Sequence, residues 1–174
     1  MALEIEEVKT KNNPLKNYNK TVAYGIPEST NNRKPIYVTR TRKGKNGRVY
    51  TKKELVAGGM GNASILAIME AGSPAKNIPS RELLEPVKQK YNKKIDEYFD
   101  KIMDALVSGN QKEADRLMAE LALRVESWTK KYFTDEDNKW KPNAPSTIKR
   151  KGSARPLIDT GSLRGSIRGV VMKR

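Results

Sequence analysis

Residues 83–132 read LLEPVKQKYNKKIDEYFDKIMDALVSGNQKEADRLMAELALRVESWTKKY. Apolar side chains recur at Leu83, Leu84, Val87, Tyr91, Ile95, Tyr98, Phe99, Ile102, Met103 and Leu106, in steps of three and four with Lys, Asp and Glu between them. That spacing places them on one face of a helix. Ser108-Gly109-Asn110 breaks the pattern with a cap-and-turn signal, and a second series follows at Ala114, Leu117, Met118, Leu121, Val125, Trp128 and Tyr132. Two long amphipathic helices on so short a loop fold back as an antiparallel pair, a helical hairpin over 81–132. The aromatic and methionine stripe reads as core, because nothing marks it as a cofactor box.

Upstream the pattern changes. Lys34-Pro-Ile-Tyr-Val-Thr-Arg-Thr-Arg42 is β-branched and aromatic, Asn46-Gly47 is a turn pair, and Arg48-Val-Tyr50 is the returning strand of a basic hairpin over 34–50. Thr21–Ile26 reads as a strand before it, and Val170-Val-Met172 as an edge strand added to the same sheet. Residues 1–20 read as a flexible arm. Asn62–Glu70 reads as a short helix capped by Asn62 and ended by Gly72 and Pro74. Gly58-Gly-Met-Gly61 before it lacks the spacing of a phosphate loop and reads as a plain loop. The expected fold class is α+β: a small antiparallel sheet with a basic β-hairpin, packed against a pair of long antiparallel helices. The expected organisation is the arm, then one domain over 21–174 ending in a C-terminal segment, 140–174.

Composition excludes much chemistry. The 174 residues include no cysteine and no histidine, so disulfides, thiolate or imidazole metal sites and the usual general base are missing. No cofactor is expected. The amino-terminal MALEIEEVKTKNN lacks the apolar region of a signal peptide, and no run approaches a membrane span. Synthesis in a cytoplasm and a soluble product are expected, with no membrane partner. The net charge of +15 is unevenly spread: residues 1–53 carry 13 bases and 4 acids, residues 139–174 carry 10 and 1, and the middle carries 12 and 15. Two basic flanks thus enclose a near-neutral body.

Ile158-Asp159-Thr160-Gly161-Ser162 matches the signature around an aspartic-protease carboxylate. Such an enzyme needs two carboxylates sharing a proton in an apolar floor, the second supplied by another motif or another subunit. Here one motif stands 13 residues from the last residue of the sequence, among Arg164, Arg168, Lys173 and Arg174. A turn and helix start fits better, with Asp159 or Thr160 accepting backbone N–H bonds and Gly161 relieving a tight φ. No enzymatic activity is expected.

Three segments in order, Glu70-Ala-Gly-Ser-Pro74, Asn77-Ile-Pro-Ser-Arg81, and Trp140–Gly152 followed by Arg155-Pro-Leu-Ile-Asp-Thr-Gly-Ser-Leu-Arg-Gly-Ser-Ile167, resemble the neck and tail-completion proteins of tailed bacteriophages, broadly the HK97 gene-10-like tail-component group. That pattern runs Ile/Val-His-Glu-Phe-Gly-Ser/Thr-Pro, then Asn-Ile-Pro-Ala-Arg-Pro-Phe, and closes with Pro-Leu-x-Asp-Thr-Gly-x-Leu-x-x-Ser-Ile. Met69 and Ala71 stand in place of its His and Phe, and Glu82-Leu83 in place of Pro-Phe. The resemblance implies a structural virion protein of the neck or tail, made in a bacterial host. It implies a homo-oligomeric ring of about six copies, closed by rotation, between connector, tail-terminator and tail-tube proteins. Its motif residues here are Glu70, Gly72, Pro79, Arg81, Pro156, Leu157, Asp159, Thr160, Gly161, Leu163 and Ile167. Pro79 is expected near a helix start, Arg81 in an ion pair with Glu70 or Asp159, and Leu157, Ile158, Leu163 and Ile167 as buried anchors of an architectural clasp. Arg40, Arg42, Lys43, Lys45 and Arg48 are candidate contacts to genome DNA or to acidic partner surfaces. The competing class is a non-specific nucleic-acid-binding protein, with Tyr37 and Tyr50 stacking on bases beside the arginines.

Overall fold

The computed structural model describes residues 18–31, 36–43, 46–57 and 60–173. In chain order the elements are β1 (Lys20–Gly25), β2 (Ile36–Lys43), β3 (Val49–Ala57), α1 (Asn62–Ala71), α2 (Leu84–Val107), α3 (Gln111–Tyr132), α4 (Pro145–Lys151), α5 (Ser162–Ser166) and β4 (Arg168–Lys173), with single 3₁₀ turns between some of them. The fold class is mixed α+β, with two long packed helices beside a small antiparallel sheet. Among the described residues no helix is long and apolar enough to cross a membrane.

The helical hairpin forms where the periodicity places it, although α2 begins at Leu84 rather than at 81. Pro86 sits in its first turn, where a missing N–H costs nothing. At the far end Gly109 adopts φ +73, Gly109 N donates to Leu106 O and Asn110 N to Ala105 O. These two bonds satisfy the last carbonyls of α2. Asn110 then opens α3, its side chain accepting from Glu113 N at 3.1 Å. One tripeptide therefore ends one helix and starts the next.

Ile95, Ile102 and Leu106 of α2 bury against Ala114, Met118, Leu121 and Val125 of α3. Tyr91 and Trp128 stack across the pair, rings 4.5 Å apart and 5° from parallel. Among the described residues the core has two clusters. One holds Val22 and Tyr24 against the hairpin; the other gathers Leu66, Leu83, Val87, Tyr132, Phe133, Leu163 and Ile167 at the end where α2 starts and α3 stops.

β1 pairs antiparallel with β4, Lys20 opposite Lys173 and Gly25 opposite Arg168, and this ribbon lies on α3. Val22 and Tyr24 alternate inward as a half-buried strand requires. β4 thus corrects the expectation that Val170–Met172 would join the basic hairpin. β2 and β3 form a separate two-stranded sheet, and β3 runs to Ala57, beyond the expected end at residue 50. A strand's alternation fixes its faces but does not name its partner. Of the arm expected over residues 1–20, residues 1–17 lie outside the described residues, Lys20 belongs to β1, and Tyr18 packs on the first cluster.

Candidate functional site

The segments carrying the sequence motifs are far apart in the chain and meet at one end of the helical hairpin. α1 starts against a cap it does not itself supply. Asn31 Oδ1 accepts from Ala63 N at 2.7 Å, while Gly61, the residue before the helix, offers no side chain. Asn62, expected as the cap, is instead fully buried, its amide donating to the hydroxyls of Ser162 (3.1 Å) and Ser166. It ties α1 to α5, a role with no local sequence signal.

After α1 the chain reverses tightly. Gly72 takes φ +72, and a Cβ there would sit 2.8 Å from Ser80 N. Ser73 and Ile78 exchange backbone bonds of 2.8 and 2.9 Å around a 3₁₀ turn, and Asn77 holds φ 53. Asparagine tolerates that left-handed conformation better than most residues. Arg81 N donates to Met69 O at 2.7 Å and Ser80 Oγ to Glu70 O at 2.5 Å, closing the reversal onto α1. Pro79 lies inside it, five residues before α2 rather than at its start.

Glu70 and Arg81 have partners other than those expected. Glu70 Oε1 accepts from Leu83 N at 2.8 Å and Leu84 N at 2.9 Å, so its carboxylate caps the amino end of α2. Arg81 is buried, and its guanidinium donates to Lys141 O at 3.2 and 3.0 Å and to Asn143 Oδ1 at 3.5 Å. No ion pair with Glu70 or Asp159 forms. The first carboxylate is spent on helix N–H groups, and the second is exposed. Burial alone pushes the Arg81 pKa down.

Replacing Glu70 by alanine strips both acceptor bonds from α2 and is expected to lower stability by about 1–2 kcal/mol. Glu70→Gln keeps an acceptor oxygen and loses only the charge acting on the helix dipole, roughly 0.5 kcal/mol. Urea denaturation followed by circular dichroism separates the two. Equal losses would contradict the capping role.

The carboxy-terminal segment closes over the same end. Trp140 meets Tyr132 and Phe133 edge-on, centroids 5.9 and 6.0 Å away, and its indole N–H donates to Glu82 O at 2.8 Å. Asn143 donates to Ala154 O and Arg155 O, holding the loop after α4. Leu157 takes φ 56, and Ile158 N bonds to Pro156 O at 2.7 Å, a three-residue turn around a leucine. Gly161 takes φ +78 before α5, and Thr160 Oγ1 accepts from Ser162 N at 3.4 Å. The Asp-Thr-Gly is thus a turn and helix start, with Thr160 rather than Asp159 as the acceptor. Leu163 and Ile167 are buried anchors, whereas Leu157 and Ile158 pack half-buried on the same cluster. Pro156 is half-buried beside them.

Between these segments lies a cleft of about 870 Å³, bordered by Gly72, Pro79, Arg81, Leu157, Asp159, Thr160, Gly161 and Leu163 of the motif set. Its charged lining is Arg81, Lys141, Arg150 and Lys151 against Asp159. Burial lowers the pKa of Lys151, with Asp159 opposing and Arg81 and Arg150 reinforcing that shift. Among the described residues no group of acids stands close enough to hold a metal ion.

The basic hairpin stands apart from this cleft. Its register sets Arg40 opposite Lys52, Arg42 opposite Tyr50 and Lys43 opposite Val49. Lys43 and Arg48 are exposed, as are Val49 and Tyr50, and Lys45 lies outside the described residues. In comparisons with protein-family models, with curated proteins and with solved structures, nothing matches this chain.

Proposed function

We propose that this chain is a structural virion protein of the phage head–tail junction, a neck, tail-completion or tail-terminator subunit. In this reading about six copies close into a ring between connector and tail tube. The observation that carries it is the convergence of residues 70–81 and 140–167, the two regions of the sequence resemblance, around one cleft. Their shared interior is made of capping bonds, a buried guanidinium on a carbonyl and apolar anchors. Such a clasp holds a shape and leaves polar rims for neighbouring proteins. It acts without a cofactor and without catalysis, its membership is the virion, and it is made in the bacterial cytoplasm. In this reading Arg40, Arg42, Lys43, Lys45 and Arg48 supply contacts for an adjoining connector or tail protein, or for the DNA that passes through the ring.

The second reading, non-specific nucleic-acid binding, is favoured by the exposed Arg48 and Tyr50 at the hairpin tip. A stop codon placed early in the gene of the encoding phage tests the choice. Micrographs of the lysate are expected to show DNA-filled heads beside unattached tails or tails of wrong length. Normal joined particles would overturn the neck assignment and leave phosphate binding as the better account.

A further inference from the structure

The cleft gathers cations that the fold leaves without a counter-charge. Arg81, Lys141, Arg150 and Lys151 border it against Asp159, four positive charges to one negative, a net +3. Arg81 is only 6% exposed. Its guanidinium donates from Nε and Nη2 to the neutral oxygens of Lys141 and Asn143; among the described residues Nη1 has no acceptor and no carboxylate pairs with the group. The exposed side chains of Lys141 and Arg150 form no ion pair among those residues either. Buried charges are ordinarily paired, and a carboxylate is the anion whose geometry a guanidinium fits. Lys151, half-buried in the same wall, has its pKa lowered chiefly by burial, a shift that an arriving carboxylate would oppose.

Apolar surface lies beside these charges. Ile65, Met69, Ile78 and Leu157 line the cleft and are half-buried, so each still presents carbon to solvent. The volume of about 870 Å³ lies within the roughly 300–1,000 Å³ typical of ligand clefts. No aromatic ring among the described residues lines it, which removes the stacking surface that single-stranded nucleic acid uses, and Asp159 would repel a phosphate. We propose that the cleft takes an acidic and aliphatic peptide segment of a neighbouring protein, its carboxylates on Arg81, Lys141 and Arg150 and its aliphatic side chains on Ile65, Met69 and Ile78. Clustered cations reading an acidic motif are a recurrent mode of peptide recognition. The inference deepens the neck reading and rests on it only for the source of the segment.

The probe is a fluorescein-labelled octapeptide of alternating Glu and Leu, titrated with the full-length protein at physiological salt and followed by anisotropy. Saturable binding is expected. An octapeptide of alternating Lys and Leu should not bind, and one of Glu and Ser should bind several-fold more weakly for want of the apolar contact. Lys141→Glu with Arg150→Glu, both exposed, should weaken the Glu-Leu probe about tenfold or more. Lys93→Glu with Lys112→Glu makes the same change of net charge at exposed positions outside the cleft and should leave affinity within about twofold, because salt screens charges so far away. Asp159→Asn removes the acid from the lining and should tighten binding, a gain that misfolding cannot imitate. No saturable binding, equal losses in the two charge-reversed variants, or displacement of the probe by a thymidine octanucleotide at lower concentration than by unlabelled peptide would overturn the proposal. Absent binding by a chain whose stop codon still blocks head–tail joining would sink this inference alone. Cleft-dependent binding beside normally joined particles would sink the neck reading instead.

Discussion

Gly169→Ala is expected to destabilise the fold by about 3 kcal/mol, the upper end of what an added methyl does in a packed interior. A Cβ at this position would stand 1.9 Å from Ala122 O and 2.7 Å from its carbonyl carbon. Both are backbone atoms of α3, so no side-chain rotation relieves the overlap and β4 must lift from the helix. Lifting also strains the bond from Gly169 N to Glu126 Oε2, 3.0 Å long, and withdraws the strand that pairs with β1. Gly165→Ala is the matched control: nothing lies within 4 Å of its Cβ position, and it sits inside α5. There the smaller backbone entropy of the unfolded chain should leave stability unchanged or raise it by up to about 1 kcal/mol. Urea unfolding of both variants reads the difference directly. Equal midpoints would mean that β4 does not rest on α3.

The second large effect belongs to the helical hairpin. Leu121 is fully buried between α2, α3 and the β1–β4 ribbon, while Leu123, two residues on, is 65% exposed. Leu121→Ala removes apolar burial and leaves a cavity, at a cost of about 2–5 kcal/mol. Leu123→Ala removes the same atoms from water-exposed surface and should change stability by no more than about 0.5 kcal/mol. The pair tests the packing face of α3 with chemistry held constant. A large loss from Leu123→Ala would place that face in contact with something outside the fold described.

Those two leucines also show what a sequence can convey. The 3.6-residue repeat that includes Leu117, Leu121 and Val125 and omits Leu123 reports directly which side is buried, so both long helices and their loop were legible. The turn at Gly161 was legible as well, because only a residue without a side chain takes φ +78 at little cost. Contacts across long sequence distances were not. Arg81 looked like half of an ion pair, but its acceptor is the carbonyl of Lys141, which any residue at that position would present. Asn31 caps α1 from 32 residues upstream, a separation that no capping rule anticipates. Leu157 adopts φ 56 in a turn that its identity argues against. β3 continues through Thr51-Lys-Lys-Glu54, past the strand end read at Tyr50, and pairs there with β2.

The clasp's residues are therefore identifiable from sequence more readily than their bonds. Glu70, Arg81 and Asp159 all border or support one cleft, yet none pairs with another. The resulting end of the molecule is held by backbone acceptors, and among the described residues Asp159 is the acid that borders the cleft beside Arg150 and Lys151. Charge left over in a subunit is available to a neighbour, which is the sense in which this surface supports the proposed assembly role.

The most direct measurement is an electron cryomicroscopy reconstruction of the head–tail junction of the encoding phage. The account predicts a closed ring at that junction, each subunit fitting the α2–α3 hairpin with the β1–β4 ribbon on α3. Particles whose junction contains no such subunit, or in which the chain is found only in the capsid shell or along the tail tube, would contradict it.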